Sequence, residues 1–289
     1  MRLIVWHGRF IKILPFVVVL AFVLLIEQVW GWRALLAPWR EFSMASGVVA
    51  LALLLLSYAL RTLRLMDYFR GELIGRFAAC FRLTLYHNLL NNVLPMRSGE
   101  ISFPVLMKRY FAVPALRSVP ALLWFRLLDL HAVLALGAAA AWFYGLAFVP
   151  RSWATGVLLL LWLPLPWVTV MLKARLLKLV ERRREPQRVL QRAGEALRAL
   201  PADLGAFWRS LLWTWINWVV KVGVLAWVLT EFIDAPLAAA WVGAIAGDLT
   251  SVLPFHAPAG IGTYEAGVVA GLLPFGVVLD MAMRAAINL

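Results

Sequence analysis

Two apolar stretches of this chain break in nearly the same way, at Asn91-Asn92-Val93-Leu94-Pro95 and at Thr250-Ser251-Val252-Leu253-Pro254. Each break runs on into Gly and Glu: Arg97-Ser98-Gly99-Glu100 after the first, Gly260-Ile261-Gly262-Thr263-Tyr264-Glu265 after the second. Pro removes a backbone donor and Gly loosens the helix, so both segments must give up hydrogen bonds that helices normally satisfy internally. In hydrocarbon the freed groups have no water to turn to. A broken helix is therefore tolerated only where protein or a wet cavity replaces the lost partners. Paired interruptions of this kind point to a binding site shared by two broken segments.

The environment is a bilayer. Residues are 63% hydrophobic and only 15% charged, and several apolar runs approach the roughly 20 residues that cross a membrane as a helix. The chain reads as an all-α, polytopic membrane protein of about seven to eight spans plus re-entrant or broken helices. Spans are expected near 11–32, 43–60, 118–147, 152–172, 210–230, 236–254 and 264–280, with 78–94 as a re-entrant or short extra helix. The first span resembles a signal sequence in its basic flank and apolar core, but no small-residue cleavage site follows Glu27-Gln28-Val29-Trp30. The final residues, Ala285-Ala286-Ile287-Asn288-Leu289, read as the start of another helix, either short or cut off.

A formal charge of +13 does not mark a nucleic-acid binder, because the charge follows membrane side. Segments 1–12, 61–82, 97–117 and 173–209 hold 22 of the 28 Lys and Arg residues, while Arg33, Arg40 and Arg151 stand on the opposite side. The excess of basic loops predicts a cytoplasmic N-terminus, and the setting expected is the bacterial plasma (inner) membrane. Tryptophans at 30, 32 and 39, and at 208, 213 and 215, suit interfacial anchoring. The expectation is one membrane domain over 1–289, its halves, about 1–172 and 210–289, joined by the basic cytoplasmic segment 173–209. Pro186 to Pro201 within that segment reads as a surface amphipathic helix, next to Arg182-Arg183-Arg184, which serves either as an ordinary positive-inside loop or as a draw for anionic headgroups.

Ionisable groups inside spans are costly and functional by default. Arg126 and Asp129 stand three residues apart, a spacing that allows a structural ion pair on one helix face. It equally allows a guanidinium offered to a phosphate, with the carboxylate orienting it. Asn88, Asn91 and Asn92 put amides on one side of their helix, Gly99 is suited to a tight backbone turn, and Glu100 can cap the next helix, pair with Arg97 or Arg126, or carry a proton. In the late break Pro258, Gly260 and Gly262 flank a helix start that Thr263 can cap, with Glu265 in its first turn and Asp248 one or two turns earlier. Lys221, mid-span, either snorkels or faces the same cavity. Headgroup binding is thus expected from Asn91, Asn92, Arg97 and Arg126, and gating from Pro95, Gly99, Pro254, Pro258, Gly260 and Gly262. Proton or ion-pair roles fall to Glu100, Asp129, Lys221, Asp248 and Glu265. One cysteine, Cys80, and the scattered His87 and His256 do not make a metal site, no cofactor is implied, and no catalytic motif is recognised.

Taken in order, Asn91-x-x-Leu94-Pro95-x-Arg97-x-Gly99-Glu100, Arg126-x-x-Asp129 and Pro258-x-Gly260-Ile261-Gly262-x-x-Glu265 resemble the membrane region of the lysylphosphatidylglycerol synthase family, over nearly the whole chain. In larger members this region is followed by a soluble aminoacyl-transferase domain, which has no counterpart in these residues. The resemblance implies a flippase-like translocator of membrane lipids, its cargo bearing an anionic or phosphate headgroup. With no nucleotide-binding motif, transport is downhill or ion-coupled. The alternative is a membrane subunit of, or scaffold for, a lipid-modifying enzyme, partnered with lipid-synthesis machinery.

Overall fold

The computed structural model describes residues 17, 20–144, 152–182, 194, 197, 198, 200, 201, 204–252 and 260–289, and these form helices joined by turns, with no strand among them. An apolar helix α1 (Leu20–Val29) is followed by the short α2 (Trp32–Leu35). Next come α3 (Met44–Tyr68), α4 (Arg70–Leu73), α5 (Phe77–Val93), a 3-10 turn (Pro95–Ile101) and α6 (Ser102–Phe111). Then follow α7 (Ala115–Tyr144), α8 (Trp153–Trp162), α9 (Leu165–Arg182), α10 (Leu204–Phe232), α11 (Leu237–Val252), α12 (Thr263–Leu272) and α13 (Leu279–Asn288).

Length and composition make α3, α7 and α10 membrane spans in their own right. At 25, 30 and 29 residues they rise about 37 to 45 Å, more than the roughly 30 Å hydrocarbon core. The pair Trp153–Trp162 and Leu165–Lys178 is apolar enough to count as a further, broken span, bent by 43° where Pro164 interrupts it. The protein is thus an all-α, multi-pass membrane protein.

Three boundaries differ from the sequence reading. The span expected at 43–60 continues to Tyr68, which carries Arg61 and Arg64 into the helix. The span expected at 152–172 is two helices that run on to Arg182, while the segment 78–94 is α5, the short extra helix which that reading allowed. The span expected at 264–280 is two helices, because Pro274 opens a 3-10 turn and Gly276, at φ 78°, ends it in the left-handed conformation. Of the amphipathic helix expected over 186–201 only residues 194, 197, 198, 200 and 201 are described, the first three of them helical, and the Arg182-Arg183-Arg184 side chains lie outside the described residues.

Packing divides the chain into two compact units that do not follow chain order. One takes in Ala52–Leu90 and Glu100–Gly223; the other takes in the residues up to Leu51, Asn91–Gly99 and Val224–Leu289. The first unit is centred on a core that includes Leu65, Phe69, Leu83, Phe103, Met107, Trp124, Phe125, Leu128 and Phe207, all buried. Its α5 and α6 run antiparallel: His87 meets the Ser102 hydroxyl at 3.0 Å, and farther down the Arg76 guanidinium donates to the Tyr110 carbonyl at 3.1 Å.

In the second unit α11 and α12 form a closer hairpin. A Cβ on Gly271 would lie 2.7 Å from the Val242 carbonyl oxygen and the Gly243 Cα, and one on Gly267 would lie 2.7 Å from the Ala246 carbonyl oxygen and 3.0 Å from the Gly247 Cα. Backbone meets backbone at both levels, the arrangement that paired small residues permit between membrane helices. Helix α13 is tied to the α2 region: the Asn288 amide donates to the Leu35 carbonyl at 3.0 Å, and the Trp39 indole donates to the Asn288 side-chain oxygen at 2.8 Å.

Candidate functional site

Three arginines converge in the first unit. Arg61 and Arg64 project from the last turns of α3, Arg126 projects from α7, and with Asp129, His87, Asn88 and Thr84 they line a cavity whose remaining walls are Leu65, Leu83, Phe103, Leu122 and Phe125. Its free volume is about 50 Å³, room for a water or two, so the cavity is nearly filled by its own side chains.

The arginines differ in how firmly they are held. Arg64 Nη1 lies 2.7 Å from Asp129 Oδ1 and Nη2 lies 3.3 Å from Oδ2, a two-point contact. Arg64 Nη1 also donates to Thr214 Oγ1 at 2.8 Å, and the Trp218 indole donates to Asp129 Oδ1 at 3.0 Å. Both charged side chains are about 6–7% exposed, and the Arg64 guanidinium lies over the Phe125 ring at 4.6 Å. A buried pair joined at two points, with Thr214 and Trp218 adding bonds to it, is a strut between α3 and α7, braced by α10.

Arg126 is different. Its Nε stands 3.1 Å from Glu100 Oε1, with the two side chains 22% and 27% exposed. The approach is ionic and misses hydrogen-bond alignment, since the same Nε has no hydrogen-bond acceptor among the described residues. Arg61 is held by neutral groups: Nε donates to Asn217 Oδ1 and Nη1 to Asn88 Oδ1, each at 3.3 Å, and Ser57 donates to the same Asn217 oxygen at 2.8 Å. Among the described residues, Arg61, Arg64 and Arg126 of the lining face Asp129 and the neighbouring Glu100, one positive charge in excess. A loosely paired guanidinium beside a surplus cation can take an anion in bidentate fashion.

The predicted residues are thus distributed unevenly. Arg126, Asp129 and Glu100 come together, but Asp129 takes Arg64 and not Arg126, and Arg126 takes Glu100. Asn91 and Asn92 belong to the other packing unit; Asn91 is 5% exposed, its side-chain oxygen without an acceptor role among the described residues, and Asn92 is exposed. The side chains of Pro95 and Arg97, and residues Pro254 and Pro258, lie outside what is described. Gly99 is buried in the 3-10 turn without positive φ, so it does not supply the special turn expected of it. Gly260 and Gly262 do take positive φ, 75° and 81°. Gly262, not Thr263, is the N-cap of α12: Glu265 Oε2 accepts from the Gly262 N–H at 2.7 Å, while the Thr263 hydroxyl donates to the Gly260 carbonyl. Lys221 rests on the Trp218 ring, Nζ 5.1 Å from its centroid. Asp248 is buried in α11. Among the described residues no three His, Cys, Asp or Glu side chains are grouped to hold a metal.

Arg61 and Arg64 were counted as loop charges in the sequence reading. Ser57, Arg61 and Arg64 recur at four and three residues, one polar stripe on an otherwise apolar helix, and that periodicity is the signal that identifies them.

Comparison with known proteins gives one match. A family model described as the lysylphosphatidylglycerol synthase TM region matches residues 12–288. No curated protein and no solved structure matches the chain.

Proposed function

We propose that this chain, which belongs to the lysylphosphatidylglycerol synthase transmembrane-region family, moves a membrane lipid with a phosphate-bearing headgroup between leaflets of the bacterial inner membrane, its N-terminus cytoplasmic. The observation that carries the reading is the contrast between the two ion pairs in the arginine cavity. Arg64–Asp129 is rigid and buried, whereas Arg126–Glu100 is half-open and imperfectly aligned. A lipid phosphate entering the cavity displaces the Glu100 carboxylate from Arg126, one anion for another, so the site accepts the headgroup without stranding a charge in hydrocarbon. Arg61 lends the surplus positive charge. The apolar walls leave the acyl chains in the bilayer. Asn91, Asn92 and Arg97 in the first break, and Gly260, Gly262 and the prolines 254 and 258 in the second, remain the proposed gating and headgroup contacts on this reading. Glu265 and Asp248 are its further candidates for proton coupling.

With about 50 Å³ free, a headgroup enters only when α6 or α7 shifts. The exchange of carboxylate for phosphate at Arg126 is the step that such a shift would accompany.

The test is leaflet exchange of labelled phospholipids in proteoliposomes, with total lipid composition followed in parallel. Wild type should exchange lipid without changing its mass. Arg126→Ala should abolish exchange, and Glu100→Gln, which removes the competing charge, should retain lipid binding while altering the rate. No exchange by folded wild type across several headgroups refutes the reading, and a change in lipid mass would point to the synthase-partner role.

A further inference from the structure

Among the side chains that line the arginine cavity, a single one ordinarily changes charge between about pH 5 and 8. It is His87 on α5, 8% exposed. Its Nδ1 stands 3.0 Å from the Ser102 hydroxyl on α6, and the Phe103 ring meets the imidazole edge-on, centroids 5.4 Å apart. A hydroxyl can donate to a bare ring nitrogen or accept from a protonated one. By turning its O–H, Ser102 therefore keeps its bond to the ring in either charge state.

The charged groups that border the same cavity are Arg61 and Arg64 on α3, and Arg126 and Asp129 on α7. Glu100, in the 3-10 turn, reaches Arg126 from outside the wall. Helix α6 gives the wall Phe103, and α5 gives it Thr84 and Asn88, none of which titrates. Asp129 is committed to Arg64 at two points. Exchange of carboxylate for phosphate at Arg126 therefore moves a negative charge from beside the wall to within it, next to His87. An adjacent anion favours the charged imidazole. In that form both ring nitrogens donate, one N–H to Ser102 and the other to a phosphate oxygen.

We propose that His87 takes up a proton as the headgroup enters and gives it back as the headgroup leaves, so that lipid and proton cross together, an inference that rests on the cavity being the headgroup site. The proton comes from the water on the side of entry and returns to the water on the side of exit. Only an N–H bond of the ring forms and breaks. Glu265 and Asp248 belong to the other packing unit, whereas His87 borders the headgroup itself. Its charge change is therefore tied directly to occupancy, the condition that coupling requires.

The experiment is isothermal titration calorimetry of the full chain in a neutral detergent, with the soluble lipid dihexanoylphosphatidylglycerol as probe. Titrations run from about pH 6 to 8 in two phosphate-free buffers of different ionisation heat, which gives the protons bound along with the lipid. Wild type should bind with uptake of up to one proton, and its affinity should fall as pH rises, by up to about tenfold per pH unit. His87→Gln, which keeps a polar amide but cannot take the charge, should bind without uptake and with a flat pH profile. Glu100→Gln should keep the uptake. Nitrogen-15 spectra of wild type, which need no variant, should show one of the four histidines gaining charge on saturation. Binding without proton uptake, uptake that persists in a folded His87→Gln chain, or four unchanged imidazoles each overturn the proposal and leave the headgroup site standing. Absence of binding by folded wild type refutes the headgroup site, and the proposal with it.

Discussion

Replacing Arg64 by Met should destabilise the protein severely, and replacing Arg64 and Asp129 together should restore most of the loss. The single change leaves Asp129, about 6% exposed, with the Trp218 indole at 3.0 Å as its remaining donor among the described residues and removes a two-point contact at 2.7 and 3.3 Å. Breaking a buried pair from one side costs about 3–5 kcal/mol, because the remaining charge keeps its desolvation penalty. Thr214 also loses a donor, and Phe125 loses the cation above its ring. Arg64→Met with Asp129→Leu removes both charges, so the residual cost should fall to about 1–2 kcal/mol, mainly the unmet Trp218 and Thr214 groups. The added Asp129→Leu change should thus recover about 2–3 kcal/mol of the single variant's loss. Arg126→Gln is the control: its pair with Glu100 is partly exposed, worth about 0–1 kcal/mol. Equilibrium unfolding in mixed micelles, read by tryptophan fluorescence, measures all four chains. A double variant as unstable as the single one would refute the view of Arg64–Asp129 as a closed strut, and so would an Arg64→Met loss no larger than that of Arg126→Gln.

Three further outcomes are expected. Gly271→Ala should cost about 1–3 kcal/mol by overpacking, its Cβ meeting backbone at 2.7 Å, whereas Gly156→Ala, whose Cβ would meet the Trp142 ring at 3.6 Å, should be tolerated; thermal unfolding of the pair compares them directly. Glu265→Ala should cost about 1 kcal/mol through loss of the bond from the Gly262 N–H, and Glu265→Gln should cost less because an oxygen acceptor remains; amide exchange at the start of α12 reports it locally. Asn217→Leu should free Arg61 and Ser57 from a shared acceptor, lowering stability by about 1–3 kcal/mol and changing the headgroup preference in the leaflet assay, while an unchanged preference would remove Arg61 from the proposed binding set.

Much of the architecture was legible because hydropathy reports burial in lipid directly. The three long spans and the two interruptions left a compositional mark, whereas the segment expected as one span at 152–172 is bent at Pro164. The Arg126 and Asp129 positions were legible for the same reason, since charge in an apolar run is conspicuous. Their partners were not. Hydropathy closed the early span at Arg61, whereas the helix runs two turns further because Arg61 and Arg64 find acceptors on α5, α7 and α10, and that satisfaction is tertiary. The late hairpin did leave a trace that went unread: Gly243-x-x-x-Gly247 and Gly267-x-x-x-Gly271 are two small-residue faces. Only their close approach shows that each was meant for the other.

That glycine contact bears on how the chain can be made. Helix α12 has ten residues and rises about 15 Å, half of a bilayer core. Released alone into lipid, it would end with unpaired carbonyls in hydrocarbon, and α11, at sixteen residues, would fare little better. Neither arm therefore has a resting state in the membrane by itself. The two must leave the insertion machinery as a closed pair, joined along a seam where Val268, Tyr264 and Leu272 pack onto the glycines of α11, and the order of synthesis suits this because the arms are consecutive.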